Sequence, residues 1–172
     1  MKRCADGSRR NGRILVANAQ PELIEAVVPL LAGALIATAP IHHEHARREK
    51  DPSYKIWDPN FVLALLKDRD PRIGACADTG HWQTSGVKPL DGIKLLKGRI
   101  VSLHLKERAE IGKPLPDMIY GTGASDTAAV LAELKKQRFK GHISIEDENN
   151  WDNSVPDIKR CVDFVRNWGT KT

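Results

Sequence analysis

Very little in this sequence suggests a chain held together by anything but its own core. Its three cysteines, Cys4, Cys76 and Cys161, are odd in number and follow no spacing. They exclude a disulfide framework and point to reduced thiols in a cytoplasmic compartment. Repeats and low-complexity tracts are missing too. So are long apolar runs. The longest uncharged stretch, Ala26 to Ile41, is broken by Pro29 and Gly33, and it falls short of the roughly 20 residues a membrane span needs. It follows Ser8-Arg9-Arg10 and ends near Ala37-Thr38-Ala39, parts that a twin-arginine export signal also has. Polar Gln20-Pro21-Glu22 separates the basic part from the apolar one, so neither an export signal nor a membrane partner is expected.

What is present is ordinary for a globular domain: 41% hydrophobic and 28% charged residues over 172 positions, enough for one buried core and short for two. The net charge of +5 permits a polyanion partner. Beyond the first dozen residues the basic side chains are scattered, and no nucleic-acid partner is expected. Residues 1–12 read as a disordered basic terminus, and residues 13–172 as the domain.

Apolar runs alternate with helical patterns along the domain. Strands are predicted at Arg13–Asn18, Ala34–Ile41, Ile73–Ala77, Arg99–Lys106 and Gly141–Glu148. Helices are predicted from Pro21 to about Pro29, over Asn60–Asp68 behind an Asp58 cap, and from Lys88 to Lys97 closed by Gly98. Two more follow, Thr127–Gln137 capped by Ser125 and a last one from Ser154 to about Trp168. Such alternation means βαβ units and a parallel sheet. A closed (β/α)₈ barrel takes about 250 residues, so the expectation is a partial barrel, with a small doubly wound sheet as the alternative.

Strand parity favours the barrel. Side chains alternate faces along a strand. Val101, Leu103 and Leu105 share one face, and Ser102, His104 and Lys106 the other. Ile143 and Ile145 oppose His142, Ser144, Glu146 and Glu148 in the same way. In the second strand His42 and Glu44 fall on the polar side. One branched apolar face suits outer helices, and an inner face turning polar at the C-terminal end suits a site at a barrel mouth.

His42 (with Glu44), Asp78, His81, His104 and Glu146 therefore end four strands, or stand in the loops just after them. Imidazole and carboxylate together suit a divalent ion such as Mn²⁺, Zn²⁺, Co²⁺ or Mg²⁺, with the open positions left to substrate or water. Taken singly, each residue reads as a hydrogen-bonded structural group, and Asp78-Thr79 as an Asx turn. Together on one face they read as a site. Lys106 shares that face, ready for a substrate oxygen or for a salt bridge to Glu146 or Glu148. Cys76 reads as a buried inert thiol. Gly121-Thr122-Gly123 is too short for a phosphate loop and reads as tight turning before a helix. Trp57, Trp82 and Trp151 fit either the wall of a sugar-sized pocket or plain rim packing.

Four motifs in order carry a family likeness: Ala77-Asp-Thr-Gly-His-Trp82, Gly98-Arg-Ile-Val-Ser-Leu-His-Leu-Lys106, Tyr120-Gly-Thr-Gly123 and Gly141-His-Ile-Ser-Ile-Glu-Asp-Glu148. With them the chain resembles the xylose isomerase-like TIM barrel superfamily over about residues 13–168, and most of all its sugar phosphate isomerase/epimerase group. The resemblance implies a (β/α)₈ barrel, here roughly units four to eight, with a divalent metal at the C-terminal mouth. It also implies Asp78, His104 and Glu146 as ligands, with His81 beside them. His42 stands where the epimerases carry a glutamate.

The expected function is a divalent-metal-dependent sugar or sugar phosphate isomerase/epimerase working by proton transfer next to a carbonyl. Glu146 is the expected acid/base and Lys106 its assistant at an oxygen. The expected partners are a small sugar or sugar derivative and a second copy completing the barrel. Two alternatives stand beside this reading: an apurinic endonuclease-like phosphodiesterase and a non-catalytic truncated barrel.

Overall fold

The computed structural model describes residues 13–17, 35–39, 55–149 and 152–171. Among the described residues five strands form one sheet: β1 (Arg13–Ala17), β2 (Leu35–Ala39), β3 (Ile73–Asp78), β4 (Ile100–Leu105) and β5 (His142–Ile145). Their spatial order is β1-β2-β3-β4-β5, and every neighbouring pair is parallel. Each strand is thus added beside the last on the same side. A doubly wound sheet reverses direction part-way through its strand order, so this is an arc of a (β/α)₈ barrel, and the expected partial barrel holds. The terminal segment 1–12 and the predicted helix from Pro21 lie outside the described residues.

Five helices accompany the described strands. Helix α1 (Pro59–Leu66) starts where the Asp58 carboxylate accepts the Asn60 N–H at 2.8 Å, with Pro59 in the first turn where its missing N–H costs nothing. The Arg99 guanidinium donates to the carbonyl of Leu66, and to that of Arg69 at 3.3 Å, tying the end of α1 to the entry of β4. Helices α2 (Thr79–Thr84) and α3 (Pro89–Leu95) follow β3. Helix α4 (Thr127–Lys136) buries Val130, Leu131 and Leu134, and α5 (Val155–Lys171) lays Cys161, Phe164, Val165 and Trp168 on the same core. Among the described residues no helix is long and apolar enough to cross a membrane.

Three local expectations are corrected. The stretch after Asp78 is a short helix, because the Asp78 side chain caps it by accepting the N–H groups of Gly80 and His81 at 2.9 and 3.1 Å. The cap of α4 is Asp126, in the left-handed region at φ 50°, and not Ser125, whose hydroxyl is spent on Gln83 Oε1 at 2.6 Å. Val101 does not share the face of Leu103 and Leu105. Ala75 pairs with Ile100 but Cys76 with Ser102, so Val101 is the extra residue of a β-bulge and packs on Cys76, apart from the main core.

Candidate metal centre

β3 is buried along its whole length, so its last residue, Asp78, is carried into the interior with it. Capping α2 with Oδ1 leaves Oδ2 facing two imidazoles, His81 Nε2 and His104 Nδ1, each at 3.6 Å. In register Asp78 lies beside His104, and His104 beside Ser144. Glu146 is the first residue past β5, where its N–H donates to the Leu105 carbonyl at 3.2 Å. Its Oε1 is 2.9 Å from His104 Nδ1. One donor atom each from Asp78, His104 and Glu146 lies within 4.8 Å of the others. Three residues far apart in sequence thus meet at three adjacent strand ends.

Lys106 passes beneath them. Its side chain is fully buried, and its Nζ lies 3.0 Å from Glu146 Oε2 and 2.9 Å from Glu148 Oε2. The two salt bridges that parity left as alternatives are both made. Gly80 makes room for the stem, since a Cβ there would come within 2.5 Å of Lys106 Cδ. Glu148 is held in turn by its backbone N–H, which donates to Asp117 Oδ2 at 2.8 Å.

The protonation preferences follow from this crowding. Burial by itself would raise the Asp78 carboxyl, but the neighbouring His104 and the charges of His81 and Lys106 outweigh it and hold the group well below the usual carboxylate range. Glu146 is likewise pushed up by burial and brought below its ordinary value by His104 and Lys106. His104 is driven up to about 12 by Asp78, the Cys76 thiol and Glu146. Lys106 loses from burial and gains more from Asp78, Glu146 and Glu148, so it stays charged. Two carboxylates, Asp78 at 3.6 Å and Glu146 at 2.9 Å, converge on His104 Nδ1. Two carboxylates and an imidazole so placed are a donor set that suits a divalent ion of borderline hardness.

Of the predicted residues, the structure brings Asp78, His104 and Glu146 together and sets His81 and Lys106 beside them. His42 and Glu44 lie outside the described residues, as does Trp151. Trp82 is a core residue rather than a pocket wall, packed so closely on Gly92 of α3 that a Cβ there would reach its ring at 2.6 Å. Sequence reasoning missed Glu107, which is fully buried, its carboxylate accepting the Gly121 and Ser125 N–H groups and the Thr127 hydroxyl. The signal was its place directly after the inner-face Lys106, where an acid must find donors to be buried.

A family model described as "Xylose isomerase-like TIM barrel" matches residues 40–168. The chain belongs to this family. Among solved structures of similar fold, an uncharacterised protein from Parabacteroides distasonis is 28% identical with a TM-score of 0.55, covering 91% of this chain and 58% of that one. A D-tagatose 3-epimerase-like protein is 21% identical with a TM-score of 0.60, covering 86% of this chain and 50% of that one. A D-allulose 3-epimerase from Methylomonas sp. is 18% identical with a TM-score of 0.63, covering 86% of this chain and 54% of that one. The family member described here thus spans little more than half the length of these structures. No curated protein matches the sequence.

Proposed function

We propose that this chain carries the proton-transfer centre of a sugar isomerase or epimerase. In this reading Asp78, His104 and Glu146 hold a divalent ion (Mn²⁺, Zn²⁺, Co²⁺ or Mg²⁺). The observation that carries it is the convergence of their donor atoms within 4.8 Å at adjacent strand ends. His42 or Glu44 is proposed as the ligand from the preceding strand, with His81 orienting Asp78. An ion bound there would polarise the carbonyl oxygen of a sugar.

The rest is done by the chain's own groups. Against burial, His104 at Oε1 and the Lys106 ammonium at Oε2 hold the Glu146 carboxyl below its ordinary value, in the ionised form a base needs. Glu146 takes the proton from the carbon next to the carbonyl and returns it on the same face to the neighbouring carbon through an enediolate, the isomerase course; epimerisation would need a second proton donor on the opposite face. Lys106, fully buried against Glu146 and Glu148, lends its positive charge to the site through those carboxylates. A phosphodiesterase needs additional metal donors after His104. The residues there, Lys106 and Glu107, are engaged with Glu146 and Glu148 and with loop N–H groups.

The test is solvent exchange of the α-proton, followed by NMR in heavy water on a panel of ketoses with the metal-loaded full chain. Exchange that needs the ion and disappears in Glu146→Gln supports the reading. Absence of exchange on every ketose and aldose tried rejects it.

A further inference from the structure

Cations that are scattered along the sequence are gathered by the fold at one end of the sheet. Neighbouring strands are all parallel, so the loops that lead into β3, β4 and β5 open on one end, opposite the strand exits that carry Asp78, His104 and Glu146. The loop entering β3 carries Lys67, Arg69 and Arg72, with Asp68 and Asp70. The last turn of α3 and the loop entering β4 carry Lys94, Lys97 and Arg99, and no acid. The last turn of α4 and the loop entering β5 carry Lys135, Lys136, Arg138 and Lys140, with Glu133. Ten cations thus stand with three acids in these loops, a surplus of seven in a chain whose whole net charge is +5. Arg99 is half-buried and the other nine cations are exposed.

The loops are fastened to one another. Arg99 donates to the carbonyl of Leu66 and, at 3.3 Å, to that of Arg69, and Gln137 Nε2 donates to the Ile93 carbonyl at 3.2 Å. Two of the acids are engaged within the loops. Asp70 holds Arg72 at 2.8 Å, and Glu133 accepts the Gln137 amide at 2.9 Å with Lys136 at 3.8 Å. The Gln137 amide, and against slight burial the charges of Lys136, Lys94 and Lys97, hold Glu133 below its ordinary value, so cations of α3 and α4 surround one point. Helix ends account for part of the surplus. Each helix C-terminus carries about −0.5 of a charge, so three of them offset about 1.5 and leave about five.

What balances the remainder follows from what else this end offers. Among the described residues Leu95, 37% exposed, is its one exposed large hydrophobic side chain, since Val155 stands at the mouth end. A membrane-binding face adds several inserted apolar groups to its cations, and a protein interface needs an apolar core from which lysine is depleted. Stacking on the bases of a single strand needs an exposed aromatic ring, and Phe139 is packed on the core. Contacts to the 2′-hydroxyls of duplex RNA need fixed polar groups, and Gln137, Asp70 and Glu133 are spent inside the loops. Neighbouring helices pack about 8–10 Å apart, so the three loops span roughly 20 Å, against a DNA duplex that bears one charge per about 1.7 Å of its axis. We infer that this end is a docking surface for the phosphate backbone of double-stranded DNA, gripped by charge without reading its sequence. Asp78, Glu146 and Glu148 lie at the other end, so the inference is independent of the chemistry proposed there.

The test is fluorescence anisotropy of the full chain with a labelled mixed-sequence DNA duplex of about 20 base pairs, at about 50 to 200 mM salt. The expected Kd is about 1–100 μM, equal for two unrelated sequences, with a log–log salt slope of about −4 or steeper. Lys94→Glu/Lys97→Glu/Lys136→Glu should weaken binding by about 10-fold or more and flatten the slope by about three, with metal binding at the mouth unchanged. Neutralising Lys2, Arg3, Arg9 and Arg10 should leave most of the affinity. No binding at the lowest salt overturns the inference, and so does binding that survives the charge reversals and disappears with the four terminal cations. Tighter binding of phosphatidylserine vesicles, polyglutamate, single-stranded DNA or duplex RNA overturns it as well. Should the triple variant not fold, amide shifts of the native chain decide. Unlabelled duplex should then move the Gly98 and Arg138 resonances and leave those of Gly80 and Asp147 in place, and the opposite pattern contradicts the inference.

Discussion

The Nδ1 atom of His104 lies 2.9 Å from Oε1 of Glu146, across the β4–β5 strand pair. The other oxygen of the same carboxylate lies 3.0 Å from Lys106 Nζ. Glu146 thus faces the donor cluster with one oxygen and a fixed positive charge with the other. In the proposed reading that division lets one residue both hold the ion and move a proton.

Glu146→Gln keeps the shape and removes the base. Activity is expected to fall by about 10²- to 10⁴-fold, the usual contribution of a positioned general base. Steady-state kinetics beside a metal titration checks this, since binding should weaken much less than turnover.

Lys106→Met leaves Glu146 and Glu148 facing each other without the buried ammonium. Breaking such a pair from one side costs about 3 kcal/mol or more. Denaturant unfolding should show that loss. The double variant Lys106→Met/Glu148→Gln should recover part of it, because one stranded charge is then gone.

Tyr120 is buried, its hydroxyl donates to the Leu105 carbonyl, and its ring meets Phe164 edge-on at 6.3 Å. Burial raises its phenol well above the ordinary value. The folded chain therefore holds this proton more tightly than the unfolded chain does. The associated stability is complete below the unfolded value of about 10 and is lost as pH rises past it. Unfolding free energy measured between pH 9 and about 11 should fall, and Tyr120→Phe should fall less steeply.

Gly92→Ala tests the packing behind the centre. Alanine's helix propensity returns about 1 kcal/mol. Overlap with the buried Trp82 ring, whose atoms a Cβ would meet at 2.6 Å, costs about 1–3 kcal/mol. The net result should be a loss of stability with a shifted tryptophan emission.

Much of this arrangement was legible in the sequence because it is local. Alternation along a strand put His104 with Lys106 and Glu146 with Glu148, and the end of an apolar run placed Asp78 at the mouth. Less local features escaped. The bulge that turns Val101 onto Cys76 depends on how β3 and β4 pair, and parity on one strand cannot register an extra residue. Ser125 lost its capping role to Asp126 because Gln83, 42 positions earlier, claims its hydroxyl. Glu107 finds its donors 14, 18 and 20 residues downstream, so only the folded loop reveals its purpose. Trp82 looked like a rim residue until α2 turned it inward against α3.

The most direct test of the shared-ion claim is equilibrium binding of Mn²⁺ or Zn²⁺ to the full chain, by calorimetry and metal analysis, repeated on Asp78→Ala, His104→Ala and Glu146→Ala. The account predicts one saturable site in the native chain. Each substitution should weaken it by more than the roughly 10- to 100-fold that loss of an outer hydrogen-bonding partner costs. Native-like binding in all three variants, or none in the native chain, would contradict it.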